Sequence, residues 1–254
     1  MFFKNKNILI TGASYGLGAM VAKELGEEGA NLYLTARSED KLKRIHQNFD
    51  KKYNFYKVVD FQSRDSILEM TNNVKKVFKN IDIIMHIAGG GLGIKNSLPK
   101  FEDYIKVFNL NLFSIFEINR ELIPLLKKKK KGTIFHVGSI ASNEAVGSLS
   151  YNVTKSSLTS YVRSLSNDVS KHNICVCGIN PGGFIYKDNA MDRLKKKNIK
   201  VYEEFISKRM PINRMPNAKE LLPIIKMCIG KNNIILTGNM ISCDSGEGNF
   251  YKSF

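Results

Sequence analysis

Tryptophan, cysteine clusters and long hydrophobic runs are all missing from this chain of 254 residues. No apolar segment approaches the ~20 residues that a membrane-spanning helix requires. Residues 1–5 lead directly into a strand-like segment and lack the pattern of a signal peptide. These absences predict a protein that does not associate with a membrane and that lies in the cytoplasm.

The four cysteines are scattered through the second half of the chain. Cys175 and Cys177 lie in an apolar run, Cys228 near a predicted helix end and Cys243 in a late strand-like segment. None of them has metal-ligand spacing to another cysteine or to a histidine. We therefore expect buried free thiols, no metal site and no framework of disulfides.

Arginine is also scarce, because only eight of the 39 basic residues are arginine. The net charge of +16 therefore comes from a lysine and asparagine bias along the whole chain. The run from Lys127 to Lys131 follows an apolar segment and precedes Gly132, a pattern typical of a helix C-terminus. We interpret these cations as a solvated helix end and predict no nucleic-acid partner.

Strand-like and helix-like segments alternate through the whole chain, and no linker or second domain interrupts them. The predicted strands are 7–10, 31–36, 55–59, 81–87, 132–137, 174–179 and 238–244. The predicted helices are 19–28, 39–48, 65–78, 100–126, 150–171 and 217–230. This alternation predicts an α/β fold, a single domain over 1–254 with one doubly wound parallel sheet of about seven strands flanked by helices. A polar insertion at about 183–215 is predicted to form a lid.

Three glycines, Gly12, Gly16 and Gly18, lie between the first strand and the first helix. Glycines at this junction let the backbone turn sharply and approach a ligand, and the following helix N-terminus favours a pyrophosphate. The spacing differs from the commoner G-x-G-x-x-G dinucleotide motif. Its position nevertheless predicts a dinucleotide site.

The end of the second strand indicates which dinucleotide is bound. A carboxylate usually stands there in NAD sites, whereas this chain has Ala36 followed by Arg37. A guanidinium suits a 2′-phosphate, so we expect NADP(H) to be preferred over NAD(H). Asp60, at the end of the third strand, is expected near the adenine edge.

Tyr151 and Lys155 lie four residues apart on a predicted helix and therefore share one face. A nearby ammonium lowers the pKa of a phenol, so the pair is a candidate proton-transfer unit. Ser139 follows the fifth strand and is predicted to project into the same site.

Together these motifs resemble those of the short-chain dehydrogenase/reductase family, along essentially the full length of the chain. The residues that carry the resemblance are Thr11, Gly12, Gly16, Gly18, Ala88, Gly89, Asn111, Ser139, Tyr151, Lys155, Pro181 and Gly182. The resemblance implies a Rossmann-type fold and a catalytic tetrad of Asn111, Ser139, Tyr151 and Lys155. It further implies cofactor contacts from Gly12, Ser14, Tyr15, Gly16, Leu17, Gly18, Arg37, Asp60, Phe61, Ala88, Gly89, Tyr151, Lys155, Pro181, Gly182 and Phe184.

The family also implies a role for each member of the tetrad. Tyr151 is expected to protonate a carbonyl oxygen that Ser139 polarises. Lys155 is expected to hold the ribose hydroxyls and to lower the pKa of Tyr151. Asn111 is expected to anchor a water that relays protons; we choose it over Asn109 because its spacing to Ser139 fits better.

The chain departs from the family pattern at several positions. His86 and His136 stand where asparagine is common, and we interpret both as buried, hydrogen-bonded strand residues. Tyr186 replaces a threonine that usually contacts the carboxamide. Tyr15 stands where NADP-dependent members often have a basic residue.

The substrate is predicted from the lid, which is dense in lysine and arginine. These cations suit an anionic ketone or alcohol, such as a sugar phosphate or a nucleotide sugar. The stretches 138–148 and 183–185 also resemble family members encoded among bacterial surface-glycan genes, and this resemblance implies a carbohydrate-derived substrate. One alternative is a 3-oxoacyl group on acyl carrier protein, and another is a non-catalytic NADP-binding sensor or scaffold. The family further implies a homodimer or homotetramer, formed through the two long helices that carry Asn111 and Tyr151.

Overall fold

A single parallel sheet of seven strands forms the centre of the protein, for which we obtained a computed structural model that describes residues 2–94 and 96–249. The strand order is β3-β2-β1-β4-β5-β6-β7, and every neighbouring pair is parallel. The strands are β1 (Asn7–Thr11), β2 (Asn31–Ala36), β3 (Phe55–Val58), β4 (Ile83–His86), β5 (Gly132–Val137), β6 (Ile174–Pro181) and β7 (Met240–Cys243). The predicted doubly wound fold is confirmed.

Helices cover both faces of the sheet, and each face has its own hydrophobic core. In β1, Ile8 and Ile10 belong to one core and Leu9 to the other, as the two-residue period of a strand requires. The helices are α1 (Gly16–Glu27), α2 (Glu39–His46), α3 (Arg64–Val77), α4 (Phe101–Phe108), α5 (Ser114–Lys129), α6 (Leu149–Val169), α7 (Ala190–Lys197), α8 (Ile199–Arg209) and α9 (Leu222–Ile229). Burial on both faces explains why the strands read as near-continuous apolar runs.

The predicted helix 100–126 is instead two helices, α4 and α5, joined by a π-helical turn at Asn109–Phe113. The amide of Ser114 donates to the carbonyl of Asn109, five residues back. The wider turn re-aims the side chains inside it, and such turns occur frequently at functional sites. The composition of the segment carries no signal for this insertion.

The lysine run ends α5 as predicted, although glycine does not provide the stop. Lys130 itself adopts the left-handed conformation, with φ 51°, and Gly132 begins β5. The predicted helix 217–230 similarly begins with a 3₁₀ turn, Ala218–Leu221, before α9.

The insertion at 183–215 contains α7 and α8. Its base is closed where Ile185 forms a parallel bridge with Asn217.

Among all the described residues, no helix is long and apolar enough to cross a membrane. All four cysteines are free, and Cys243 alone among them is only partly buried.

Candidate functional site

A cavity of about 560 Å³ opens at the carboxyl ends of the central strands. Because the strands are parallel, the segments that follow β1, β2, β4, β5 and β6 all meet at this edge. The predicted site residues that line it are Gly12, Ser14, Tyr15, Gly16, Leu17, Gly18, Arg37, Phe61, Ala88, Gly89, Ser139, Tyr151, Lys155, Pro181, Gly182 and Phe184. The structure therefore brings most of the predicted residues into one cavity.

The glycine loop after β1 is held close to the loop after β4. Gly12 has φ +71°, and a Cβ on it would lie 2.8 Å from the Cα of Ala88. A Cβ on Gly18 would collide with the carbonyl oxygen of Gly12, so the loop also packs tightly on α1. Gly16, with φ +60°, has nothing within 4 Å of its Cβ position. The open face of Gly16 is where a ligand can approach the backbone.

The N-terminus of α1 faces the same cavity. Its N-cap residue, Tyr15, has an extended backbone and makes no side-chain capping bond. The first amides of a helix lack intrahelical partners and carry partial positive charge. They suit the pyrophosphate of a dinucleotide.

Cations gather at the end of the cavity beyond β2. Arg37 lines the wall there, together with Ser38 and Lys41. The Nζ atom of Lys41 lies 5.0 Å from the ring centroid of Tyr15, which is cation-π distance. Our sequence analysis missed Lys41, although it follows Arg37 by only four residues and lies in the first turn of α2.

Asp60 is exposed and is not among the lining residues, whereas its neighbour Phe61 is. A side-chain oxygen of Asp60 accepts a hydrogen bond from the amide of Gln62, and its own amide donates to Ser66. Asp60 therefore organises the turn after β3. Its contact with adenine stays a prediction.

Ser139, Tyr151 and Lys155 meet at the inner end of the cavity. The side chain of Ser139 is hydrogen-bonded to that of Tyr151. The Nζ atom of Lys155 donates to the carbonyl of Val137 at 2.9 Å and lies 5.5 Å from the ring centroid of Tyr151. A hydroxyl, a phenol and an ammonium thus converge on one point.

Burial shifts the pKa values of Tyr151 and Lys155. Desolvation raises the pKa of the Tyr151 phenol, and the bond from Ser139 offsets only part of that rise. Desolvation also lowers the pKa of Lys155, to about 8. The net shift of the Tyr151 pKa is therefore upward because of burial, whereas we expected Lys155 to lower it. Tyr151 is consequently protonated at neutral pH, as an acid requires.

Asn111 lies in the π-helical turn, behind the cavity wall. Its Nδ2 atom donates to the carbonyls of Gly90 and Val107, at 3.0 and 2.8 Å, and its Oδ1 atom accepts from the amide of Gly90 at 2.9 Å. A Cβ on Gly89 would lie 2.9 Å from Oδ1 of Asn111 and 3.3 Å from Nζ of Lys155. Asn111 therefore ties the loop after β4 to α4, and the backbone of Gly89 lies close to both Asn111 and Lys155. The predicted water bridge stays a prediction.

Asn180, at the end of β6, is a further positioning residue that our sequence analysis did not identify. It is buried, and its Oδ1 atom accepts a hydrogen bond from the amide of Ser139 at 3.1 Å. A Cβ on Gly138 would collide with that oxygen. Its place directly before Pro181 and Gly182 was the available signal.

The two unusual histidines lie side by side in β4 and β5. Their rings stack, with centroids 4.8 Å apart, and both are buried. His86 is hydrogen-bonded to Asn119, and burial lowers its pKa to about 4. His136 differs from our prediction, because neither of its ring nitrogens has a hydrogen-bond partner within the described residues. Both rings are neutral and pack as part of the sheet.

Tyr186, the replacement for threonine, contacts the glycine loop. Its ring meets that of Tyr15 edge-on at 5.8 Å, and the Tyr15 hydroxyl donates to the carbonyl of Lys187 at 2.6 Å. Tyr186 and Asn189 also line the cavity. The start of the 183–215 insertion is thereby joined to the glycine loop.

The chain has relatives among characterised families. Residues 6–198 match the family described as short chain dehydrogenase. The 3-oxoacyl-[acyl-carrier-protein] reductase FabG of Buchnera aphidicola subsp. Schizaphis graminum is 30% identical over 250 residues, which cover 97% of this chain and 98% of the relative. FabG of Rickettsia prowazekii is 28% identical over 244 residues, or 95% of this chain and 96% of the relative.

Two solved structures have folds similar to that of this chain. L-sorbose reductase from Gluconobacter frateurii, complexed with NADPH and L-sorbose, superposes with a TM-score of 0.88 at 25% identity. The match covers 100% of this chain and 100% of that one. A 3-oxoacyl (acyl-carrier-protein) reductase from Agrobacterium tumefaciens C58 with NADP bound has a TM-score of 0.86 over 96% of this chain and 95% of that one. Its identity is 19%, so that likeness concerns the fold alone.

Alanine substitutions in the glycine loop distinguish a ligand-facing position from a packing position. Gly16→Ala should cost about 1 kcal/mol of unfolding free energy, for the left-handed conformation, and should weaken NADPH binding at least about tenfold. Gly12→Ala should lose considerably more stability, because its Cβ meets the backbone of Ala88. Urea unfolding and calorimetric titration measure the two quantities. Wild-type NADPH affinity in Gly16→Ala would contradict the placement of the ligand on this face.

Proposed function

The chain belongs to the short-chain dehydrogenase family, and from this premise we propose that it is an NADP(H)-dependent oxidoreductase that interconverts a ketone and a secondary alcohol. The observation that carries the proposal is the convergence of Ser139, Tyr151 and Lys155 in a cavity that also contains the glycine loop and Arg37. Bound NADP(H) would supply or accept the hydride. The residues of the chain would bind the substrate, orient it and move the proton.

The proton would come from Tyr151 during reduction. Its raised pKa keeps the phenol protonated until the carbonyl oxygen gains negative charge. Ser139 would donate a hydrogen bond to that oxygen, in the position that stabilises developing charge. Lys155, with a pKa near 8, would carry positive charge at neutral pH and stabilise the phenolate that remains.

The preference for NADPH would come from two cations of the cavity wall, Arg37 and Lys41. A guanidinium can bind a 2′-phosphate through two hydrogen bonds, and an ammonium adds a point charge. Lys41 compensates in part for Tyr15, which stands where a basic residue was expected.

Two substrates merit separate tests. We favour a 3-oxoacyl group on a carrier protein, because the full-length relatives named FabG are 28–30% identical. The lid cations Lys195, Lys197 and Lys200 are exposed and are not among the residues that line the cavity, which suits a large acidic partner. For the same reason the anionic sugar expected from the sequence receives no support here. A neutral polyhydroxy ketone is the second candidate, because of the likeness to L-sorbose reductase.

Removal of the guanidinium should change cofactor discrimination. Arg37→Ala should weaken NADPH binding by about 10- to 100-fold, because one charge-assisted interaction is lost, and should leave NADH binding almost unchanged. Calorimetric titration with both cofactors measures the ratio. Arg44→Ala, an exposed position on the following helix α2, is the matched control. Equal loss for both cofactors would contradict the assignment of Arg37 to the 2′-phosphate.

Removal of the phenolic hydroxyl separates an enzyme from a sensor. Tyr151→Phe should lower kcat by about 100-fold or more, because the general acid is lost, while NADPH affinity persists. Tyr56→Phe, in β3 and outside the cavity, is the control. Binding of NADPH without turnover of either candidate substrate by the wild-type protein would favour the sensor or scaffold instead.

Charge reversal on the lid tests whether the lid lysines recognise a carrier protein. Lys195→Glu, Lys197→Glu and Lys200→Glu together should lower kcat/KM about tenfold or more for a 3-oxoacyl carrier protein. The same variant should reduce the matching N-acetylcysteamine thioester at the wild-type rate. Reversal of Lys127, Lys128 and Lys130, at the opposite edge of the sheet, should change neither. A wild-type preference for L-sorbose over both thioesters would identify the neutral ketone as the substrate class.

A further inference from the structure

We propose that Arg209 is a positioning residue, which fastens the end of the lid to both walls of the substrate entrance. The inference rests on the proposed function, since it concerns the carbonyl side of the same site. Arg209 is the last residue of α8. Its guanidinium lies between Glu144 and Glu247, with Nη2 3.7 Å from a carboxylate oxygen of each.

Glu247 connects Arg209 to the cofactor side of the site. This glutamate follows β7 and is only 5% exposed. It accepts a hydrogen bond from the amide of Gly183. A Cβ on Gly182, which lines the cavity, would lie 2.6 Å from the Oε2 atom of Glu247. A displacement of Glu247 would therefore move Gly183 and, with it, the part of the wall formed by Gly182.

Glu144 connects Arg209 to α6, the helix that carries Tyr151 and Lys155. It belongs to the loop between β5 and α6, and its carbonyl accepts a hydrogen bond from Nδ2 of Asn152 at 2.9 Å. Asn152 directly follows Tyr151 and also accepts from the amide of Gly147 at 2.9 Å. The Glu144 side chain accepts from the amide of Asn249. One guanidinium thus joins the lid, the loop before Tyr151 and the segment after β7.

The carboxylates of Glu144, Asp244 and Glu247 lie close together, and Arg209 is the cation that offsets their charge. Asp244, whose carboxylate accepts from the amides of Gly246 and Gly248 at 3.1 Å each, adds a third negative charge near Glu247. Burial raises the pKa of Glu247, and Arg209 counteracts the rise. Without the guanidinium, the buried carboxylate of Glu247 and the partly buried carboxylates of Glu144 and Asp244 would repel one another, and the segments that carry them would separate.

The neighbouring lid cations have local partners instead. Lys208 pairs with Glu204 one turn back on α8, at 2.6 Å, and both side chains are largely exposed. Lys196 pairs with Asp188 and Asp192 inside the lid. Lys208 therefore provides a control that is adjacent in sequence but outside the cluster.

Hydrogen exchange tests the fastening without any need for catalysis. In Arg209→Gln, amides of 187–205 and 144–150 should exchange at least about tenfold faster than in the wild type, because local opening becomes easier. Peptides of β1 should be unchanged. Lys208→Gln should exchange as the wild type does, and Arg209→Lys should recover part of the protection, because it retains the charge.

Kinetics then test positioning. Arg209→Gln should raise KM for the carbonyl substrate about tenfold, with a smaller change in kcat. Wild-type exchange in Arg209→Gln, or an equal increase in β1, would overturn the proposal, whatever the substrate proves to be. Recovery by Arg209→Lys of both the protection and the KM would support it. Absence of turnover in the wild-type protein would instead refute the proposed function, and the exchange result would stand alone.

Discussion

Parallel alignment of the seven strands is the constraint on which the rest of the structure depends. Parallel strands end at the same edge, so residues far apart in sequence are delivered to one cavity. The chain leaves β1 at the centre, first extends the sheet towards β3 and then returns to add β4 on the other side of β1. The crevice at that reversal brings the backbone of Gly12 against Ala88. The sheet topology therefore fixes the location of the site, and the side chains determine its chemistry.

Burial of ionisable groups is the second physical feature of the site. Lys155 is only 3% exposed, and its ammonium retains a bond to the carbonyl of Val137. Removing a charge from water is costly, so the pKa of the lysine falls and that of Tyr151 rises. The two pKa values therefore move apart, with that of Lys155 at about 8 and that of Tyr151 above its ordinary value of 10.0. At neutral pH the phenol is therefore available as a proton donor.

The basic composition has little to do with this site. Lysines of the 183–215 insertion are paired within it or exposed, and the cavity itself contains Arg37, Lys41 and Lys155. Arg209 differs because its partners, Glu144 and Glu247, belong to other segments. A total charge of +16 therefore says less about ligands than the position of one guanidinium does.

The sequence by itself determined the fold class, the glycine loop, the positions of Ser139, Tyr151 and Lys155 and the cation after β2, because periodicity and motif spacing are local properties. Tertiary structure alone decided which side chains oppose one another. Asn180 under Ser139, Lys41 above Tyr15 and Arg209 between two glutamates all depend on contacts between distant segments. The direction of the Tyr151 pKa shift also required the fold, because only the fold shows that the phenol is buried and that burial outweighs the hydrogen bond with Ser139.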